Sequence, residues 1–187
     1  MSVTHSSSAN LGADDWVEAA FDAMAEGGID AVRIEPLAKQ LGVTRGSFYW
    51  HFADRDRLYL AMLRKWRERA SYMVYARMER EAEPAGVRLE RLLALPYASP
   101  RSTRAAAIEL SIRLWARRDR RAARVVKLID RVRIDYFQKL MRQHGLSEED
   151  SRKRAFLFYA ALLAEAVIVI DDREKTSRDL QDILLGS

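Results

Sequence analysis

The chain has 187 residues, of which 49% are hydrophobic and 32% charged, a balance typical of a soluble globular protein rather than a disordered one. It carries a net charge of +5 and contains no cysteine, which excludes disulfides, thiolate catalysis and cysteine-based zinc sites. Prolines and glycines are few and good helix formers are abundant, so the composition predicts an all-α protein.

Nothing in the sequence indicates a metal, a cofactor or a membrane span. The three histidines, His5, His51 and His144, are far apart, so we expect neither a metal site nor a cofactor. The first ten residues are polar and do not resemble a signal peptide. The longest apolar run, residues 155–170, is too short to cross a bilayer and contains Glu165. We therefore expect a cytoplasmic protein with no membrane partner.

In chain order, the first elements are three short helices. The first is predicted over 14–26, because apolar residues recur there at spacings of three and four, and Gly27 and Gly28 follow it. The second is predicted over 36–41, with Pro36 in its first turn. Gly42 and Val43 form the corner to a third helix over 45–51, which Thr44 is expected to cap.

Longer helices follow. Asp54 is the predicted N-cap of a fourth helix over 55–83, which links two domains, residues 11–58 and 59–187. Further helices are predicted over 87–95, 105–117, 119–143, 147–170 and 177–185, with Ser102 or Thr103, Asp119 and Ser147 as caps. No strand signature is present, so the expected fold is an N-terminal three-helix domain joined through the long fourth helix to a helical C-terminal domain.

The glycine corner between the second and third helices predicts a helix-turn-helix. Glycine permits the tight turn, and the second helix of such a pair can enter the major groove of DNA. The inward residues are predicted to be Leu37, Ala38, Leu41, Val43, Phe48 and Phe52. The candidate DNA-contacting residues are Thr44, Arg45, Gly46, Ser47, Tyr49, Trp50, His51 and Arg55.

These residue types suit the two kinds of contact that a helix makes in a DNA groove, contacts to bases and contacts to phosphates. Arg45 can bond guanine at O6 and N7, and Thr44 and Ser47 can reach bases or phosphates. Tyr49 and His51 can donate to phosphate oxygens, which fixes the register on DNA. Nine basic and four acidic residues occur from Arg33 to Arg69, a local surplus that favours phosphate binding. A short glycine turn between amphipathic helices is also common in proteins that do not bind DNA.

The residues from Leu37 to Phe52 read LAKQLGVTRGSFYWHF, and ADRDRL follows them. This run resembles the signature of the tetracycline-repressor (TetR) family. The resemblance implies a non-enzymatic regulator that binds double-stranded operator DNA. It also implies a homodimer formed through the last long helices and a C-terminal domain that holds a small-molecule effector. Many family members have lysine where this chain has Arg55, which keeps the charge.

The C-terminal apolar pattern independently predicts a homodimer. The helix over 155–170 is apolar almost all round, so it needs a partner beyond its own subunit. A second apolar stripe follows the helix over 121–143. We expect these two helices from each subunit to form a four-helix bundle, with interface candidates Val125, Ile129, Val132, Tyr136, Phe158, Leu162 and Ala166. A monomer with one thick core is the alternative.

The effector itself cannot be named from the sequence. Mostly aromatic residues could line its pocket, and each of them could equally be ordinary core. The candidates are Trp66, Tyr72, Tyr97, Glu109, Trp115, Phe137, Phe156 and Tyr159. Glu109 and Arg113 lie four apart on one helix and could instead form a surface ion pair.

We therefore expect a repressor that an effector releases from a palindromic operator. The alternative is a helical ligand- or partner-binding module without DNA binding. An enzyme is disfavoured, because no phosphate-binding loop or nucleophile–base pattern occurs in the sequence.

Overall fold

The computed structural model describes residues 11–73, 83–94, 100–164, 167–168 and 171–185. These residues form nine α-helices, which agrees with the predicted all-α fold. In chain order they are α1 (Ala13–Gly27), α2 (Ile34–Gln40), α3 (Arg45–His51), α4 (Arg55–Arg67), α5 (Ala85–Ala94), α6 (Pro100–Ala116), α7 (Arg120–Gln143), α8 (Glu148–Ala164) and α9 (Arg173–Leu185). A 3-10 turn, Ile29–Ala31, follows α1, and a π-helical segment, Glu68–Met73, continues α4. None of the described helices is long and apolar enough to cross a membrane.

The chain divides into two compact units between Lys65 and Trp66, so α4 begins in the first unit and ends in the second. The separate roles predicted for residues 11–58 and 59–187 stay a prediction.

The first unit packs α1 to α4 around a small aromatic core. The indole ring of Trp16 meets the ring of Phe48 edge-on, with the ring centroids 5.2 Å apart. Phe48 also packs against Phe52, at 5.5 Å between centroids. Edge-to-face aromatic pairs are favourable beyond the area that they bury. This cluster fixes α3 on α1 through the inner face of α3.

The corner between α2 and α3 is the glycine turn that the sequence predicts. Gly42 has φ +69°, in the left-handed region that glycine enters without a steric penalty. The amide of Val43 donates to the carbonyl of Ala38 at 3.0 Å, and the amide of Gly42 donates to that of Lys39 at 3.2 Å. This pair of bonds is the Schellman motif, which satisfies the last carbonyls of α2 and turns the chain into α3.

The second unit has its own core, to which α5, α7, α8 and α9 contribute. Its centre is the contact of Phe137 on α7 with Phe158 on α8, whose ring centroids are 4.7 Å apart. Leu89, Leu140 and Ala155 are also fully buried there. These helices therefore bury their apolar stripes against one another.

Three predicted helix starts are confirmed by their caps. The Asp54 carboxylate accepts a hydrogen bond from the Arg57 amide at 2.8 Å. Asp119 accepts from the amides of Arg121 and Ala122, and the Ser147 hydroxyl accepts from the Asp150 amide at 3.1 Å. Each cap satisfies amide groups that have no partner within the helix.

Other boundaries differ from the prediction. α6 begins at Pro100, so Ser102 and Thr103 lie inside the helix rather than at its cap. Proline suits a first helical turn, and this overrides the weaker capping signal. Thr44 occupies the N-cap position of α3, but its side chain makes no capping hydrogen bond. α2 begins at Ile34, two residues before Pro36.

For α8, which was predicted to reach Ile170, the structure describes residues up to Ala164 and then residues 167–168, where the amide of Ile168 donates to the Ala164 carbonyl at 2.7 Å. The start of the last helix differs from the prediction. α9 begins at Arg173 instead of Ser177, where Asp172 accepts from the Lys175 amide at 2.9 Å.

Candidate nucleic-acid interface

The helix α3 has one buried and one exposed face. Phe48 is completely buried against α1, whereas the next residues, Tyr49 and Trp50, are 49% and 88% exposed. Side chains that succeed one another on a helix point in different directions, so anchoring Phe48 drives its neighbours outward. The almost fully exposed indole of Trp50 is not buried by packing against the rest of this chain. The outer face of α3 is therefore available to a partner.

Arg45 supplies the positive charge of this face at the first turn of α3. Its Nη1 atom lies 3.2 Å from Oε1 of Glu35 on α2. A hydrogen bond with the Tyr49 side chain, with a smaller contribution from Glu35, raises the pKa of Arg45 above its ordinary value. The guanidinium is thus cationic and partly oriented before any ligand arrives.

The other predicted residues lie around Arg45 on the same short segment. Thr44 and Gly46 are exposed, while Ser47 and His51 are half-buried. A Cβ atom added at Gly46 would meet only the Thr44 hydroxyl, at 3.6 Å. The backbone at Gly46 is therefore open to close approach, as a phosphate or base edge would require.

Arg55 opens α4 on the exposed side of the unit. Its guanidinium carbon lies 5.4 Å from the centroid of the Tyr59 ring, within cation–π range. The structure thus brings seven of the eight predicted DNA contacts into one segment, 44–51, and places Arg55 at the next helix start. That these residues touch DNA stays a prediction.

Sequence reasoning missed two residues of this site. Glu35 was not predicted as a partner of Arg45, although the helix-turn-helix brings the first turns of α2 and α3 together. Trp16 was not placed among the core residues of α1, yet it is the direct anchor of Phe48. The signal for Trp16 was its position, one residue before the predicted apolar stripe of the first helix.

The comparison with known families decides the identity of this unit. A family model described as "Bacterial regulatory proteins, tetR family" matches residues 17–62. Residues 17–62 of this chain are a TetR-family helix-turn-helix region. The TetR match contains α2, the Gly42 corner and α3, and extends from α1 into α4. TetR-family regulators bind DNA and are not enzymes, in agreement with the prediction.

Solved structures share the fold over nearly the whole chain. A transcriptional regulator from Rhodococcus sp. RHA1 is 20% identical, with 94% of this chain and 95% of that chain covered and a TM-score of 0.71. A regulator from Saccharomonospora viridis in complex with choline is 19% identical, with coverages of 91% and 94% and a TM-score of 0.74. The multidrug binding protein EbrR, complexed with imidazole, is 20% identical, with coverages of 92% and 94% and a TM-score of 0.61. No curated protein sequence matches this chain.

Most of the predicted effector-pocket residues that the structure describes are buried. Trp66, Trp115, Phe137 and Tyr159 are buried, and Glu109 is half-buried. Phe156 is 60% exposed on α8, and its assignment to the pocket stays a prediction. Because the sequence of α8 is apolar on several sides, helix periodicity could not separate its buried side chains from its exposed ones. The side chains of Tyr72 and Tyr97 lie outside the described residues.

Glu109 and Arg113 do form the predicted ion pair, at 3.0 Å between Arg113 Nη2 and Glu109 Oε1. The pair is not a surface pair, because both side chains are mostly buried and extend into a larger network. That network joins Glu109 to Tyr159, two of the predicted pocket residues, through Arg113 and Arg133.

Three of the predicted dimer-interface residues, Ile129, Tyr136 and Phe158, are buried within their own chain. Their assignment to a dimer interface stays a prediction. Val125 and Leu162 are half-buried and Val132 is exposed, while Ala166 lies outside the described residues. Exposed apolar side chains that were not predicted for the interface lie on the same helices: Leu128 on α7, and Phe156 and Leu157 on α8. Within the described part of the chain, no cluster of three or more metal-ligating side chains occurs.

Proposed function

We propose that this chain is a TetR-family repressor that binds a palindromic operator as a homodimer and leaves it when a small molecule binds its second unit. The observation that carries the DNA-binding part is the division of α3 between a buried Phe48 and an exposed Trp50. A helix whose inner face is buried in the core and whose outer face is exposed can enter a DNA groove without rearrangement of that core.

Arg45 is the best candidate for direct base readout. Its guanidinium is 60% exposed and stands at the N-terminal end of α3, the end that reaches base edges in helix-turn-helix proteins. A bidentate bond to guanine gives about 1–3 kcal/mol of discrimination against another base. Tyr49, Trp50 and Arg55 would then hold the phosphates and sugars on either side.

A homodimer supplies the second recognition helix that a palindrome requires. Leu128 and Val132 lie one turn apart on α7, and Phe156 and Leu157 lie on the adjacent α8, all exposed in the single chain. Large exposed apolar side chains on neighbouring helices favour burial against another subunit. A second copy offers the same surface, which suits an isologous interface about a two-fold axis.

The effector proposal depends on the second unit and on the fold neighbours. Neighbours of this fold hold choline and imidazole, both small molecules. In this chain, Trp115 and Tyr159 are buried in the same unit as the charged pair of Glu109 and Arg113. Any effector that weakens operator binding must itself bind less tightly to the DNA-bound protein, by linkage. The regulator would act in the cytoplasm, where its operator lies.

Fluorescence anisotropy with the DNA upstream of the chain's own coding region tests the proposal. The wild type should bind a palindromic fragment, and affinity should fall steeply as salt rises, because phosphate contacts release counterions. The double variant Arg45→Ala/Tyr49→Ala should bind at least about 100-fold more weakly. Arg117→Ala, an exposed arginine of the second unit, is the charge-matched control and should bind as the wild type does.

If no palindromic fragment binds at low salt, the chain is instead a helical ligand- or partner-binding module. In that case Arg45→Ala/Tyr49→Ala would bind ligand and form dimers as the wild type does.

A further inference from the structure

A network of charged side chains lies inside the second unit, around the hydroxyl group of Tyr159. Arg113 and Glu109 come from α6, Asp130 and Arg133 from α7, and Tyr159 from α8. The Tyr159 hydroxyl donates to Asp130 at 2.7 Å and accepts from both arginines. The charges balance, since two guanidinium groups face two carboxylates.

Arg133 also reaches beyond these three helices. Its two terminal nitrogens bind both oxygens of Glu109, at 2.5 and 3.0 Å. Its Nε atom donates to the backbone carbonyl of Ala70 at 3.1 Å. Ala70 belongs to the π-helical segment Glu68–Met73, which directly follows α4. The fork of a guanidinium allows all these bonds at once, which an ammonium group cannot match.

Arg113 provides an internal comparison. It is buried to a similar degree, with 21% of its side chain exposed against 13% for Arg133. Its hydrogen bonds go to Glu109, Asp130 and Tyr159, all on α6, α7 and α8. Both guanidinium carbons also lie within 6 Å of the Tyr159 ring centroid, at 5.7 and 5.6 Å. The two arginines therefore share Glu109 and Tyr159 as partners, while Arg113 also binds Asp130 and Arg133 also binds the Ala70 carbonyl.

The bond to Ala70 is made at an unusual place in the backbone. A π-helix is rare, and short π segments within α-helices occur frequently at functional sites. The carbonyl of Ala70, within this segment, accepts a hydrogen bond from the mostly buried guanidinium of Arg133. α4 itself starts at Arg55, a candidate phosphate contact in the first unit, and crosses into the second unit after Lys65.

We propose that Arg133 is a positioning residue for DNA binding, which holds the π-helical end of α4 through the Ala70 carbonyl and is itself oriented by Glu109 and Tyr159. This inference rests on the proposed function, because it assigns the residue that fixes the far end of the helix carrying Arg55. Buried ion pairs contribute little net stability compared with apolar packing, so a network of this kind is better explained by the geometry that it imposes.

The test compares Arg133→Met with Arg113→Met in the full-length protein. Each variant removes one buried guanidinium and leaves a carboxylate short of a partner, so both should lose similar stability in urea. In Arg133→Met alone, the amides of residues 66–73 should exchange with deuterium at least about tenfold faster than in Arg113→Met. Operator affinity should fall by about tenfold in Arg133→Met and by less than about threefold in Arg113→Met.

Equal exchange rates of residues 66–73 in the two variants would overturn the proposal, as would equal losses of operator affinity. If Arg133→Met does not fold, Arg133→Lys replaces it, because lysine keeps the charge but cannot bind Glu109 in two places and Ala70 together. The exchange measurement needs no DNA. A wild type that binds no operator would therefore refute the proposed function while the exchange rates still decide the role of Arg133.

Discussion

The carboxylate of Glu35 on α2 lies 3.2 Å from the guanidinium of Arg45 on α3, and both side chains are exposed, at 72% and 60%. An exposed pair of this kind contributes little to stability. The pair instead orients the side chain of Arg45, the candidate for base readout, before DNA binds. It also places a negative charge beside that guanidinium group. The same carboxylate would repel phosphate groups that approach this face.

The first prediction concerns Glu35→Gln. Loss of the negative charge should strengthen binding to non-specific DNA by roughly 3- to 10-fold, because the repulsion of phosphates disappears. Discrimination at the base pair that Arg45 reads should fall, because Arg45 is no longer oriented. Competition of operator and scrambled duplexes measures both. Glu26→Gln, an exposed acid at the end of α1, is the control, and equal effects of the two variants would contradict the role of Glu35.

The second prediction separates the two faces of α3. Phe48→Ala should destabilise the protein by about 3–5 kcal/mol, because it empties the centre of the first core. Trp50→Ala should change stability by less than about 0.5 kcal/mol, because its ring is exposed, yet it should weaken operator binding. Urea unfolding and anisotropy measure the two properties. Normal DNA binding by Trp50→Ala would argue against contact of this face with the operator.

The third prediction uses two glycines of the helix-turn-helix. Gly42→Ala should destabilise by about 1 kcal/mol, because alanine is strained at φ +69°. Gly46→Ala should stabilise by up to about 0.5–1 kcal/mol, because alanine is a better helix former and space exists for the methyl group. Gly46→Ala should nevertheless weaken operator binding, because the methyl group keeps DNA from the backbone. Thermal unfolding with parallel binding curves would show these opposite signs, and tighter binding by Gly46→Ala would refute the close approach.

The fourth prediction concerns acid stability. Burial raises the pKa of Glu109, but the charges and hydrogen bonds of Arg133 and Arg113 outweigh burial and lower it below its ordinary value. Because the folded-state pKa is the lower one, Glu109 stabilises the protein above the ordinary carboxyl pKa. That contribution is lost as the pH falls through the lowered pKa.

Urea unfolding between about pH 3 and pH 7 measures this dependence. Glu109→Gln should be less stable than the wild type at neutral pH and should lose less stability on acidification. Glu149→Gln, an exposed acid of α8, should follow the wild-type curve. Parallel curves for the wild type and Glu109→Gln would show that the pKa of Glu109 is not lowered by folding.

The fifth prediction concerns the apolar surface of α8. Leu157→Lys should convert the homodimer to a monomer and weaken operator binding, because a buried lysine at the interface would lack a partner. Leu114→Lys, on α6, is matched in residue type and exposure and should remain dimeric. Sedimentation equilibrium distinguishes these species. A monomeric wild type, or dimers of both variants, would exclude Leu157 from the interface.

The sequence predicted the first unit well because its signals are local. Gly42 marks a left-handed turn and Asp54 marks a helix start, and each acts through its immediate neighbours. The outward position of Tyr49 and Trp50 follows from helix periodicity once Phe48 is assigned to the core. These features required no knowledge of distant contacts.

The second unit was predicted less well because its surfaces depend on which helices pack together. α8 is apolar on several sides, so periodicity alone could not separate the buried Phe158 from the exposed Phe156. Arg133 belongs to an arginine-rich stretch, which by its composition favours a solvated face. Its burial becomes evident only when α6, α8 and the end of α4 are placed around it.

The exposed indole of Trp50 gives the protein a built-in optical reporter. The chain has four tryptophans, and Trp16, Trp66 and Trp115 are buried, so long-wavelength emission and access to a soluble quencher both originate at the tip of α3. Iodide or acrylamide titration can therefore follow what covers this helix without any added dye.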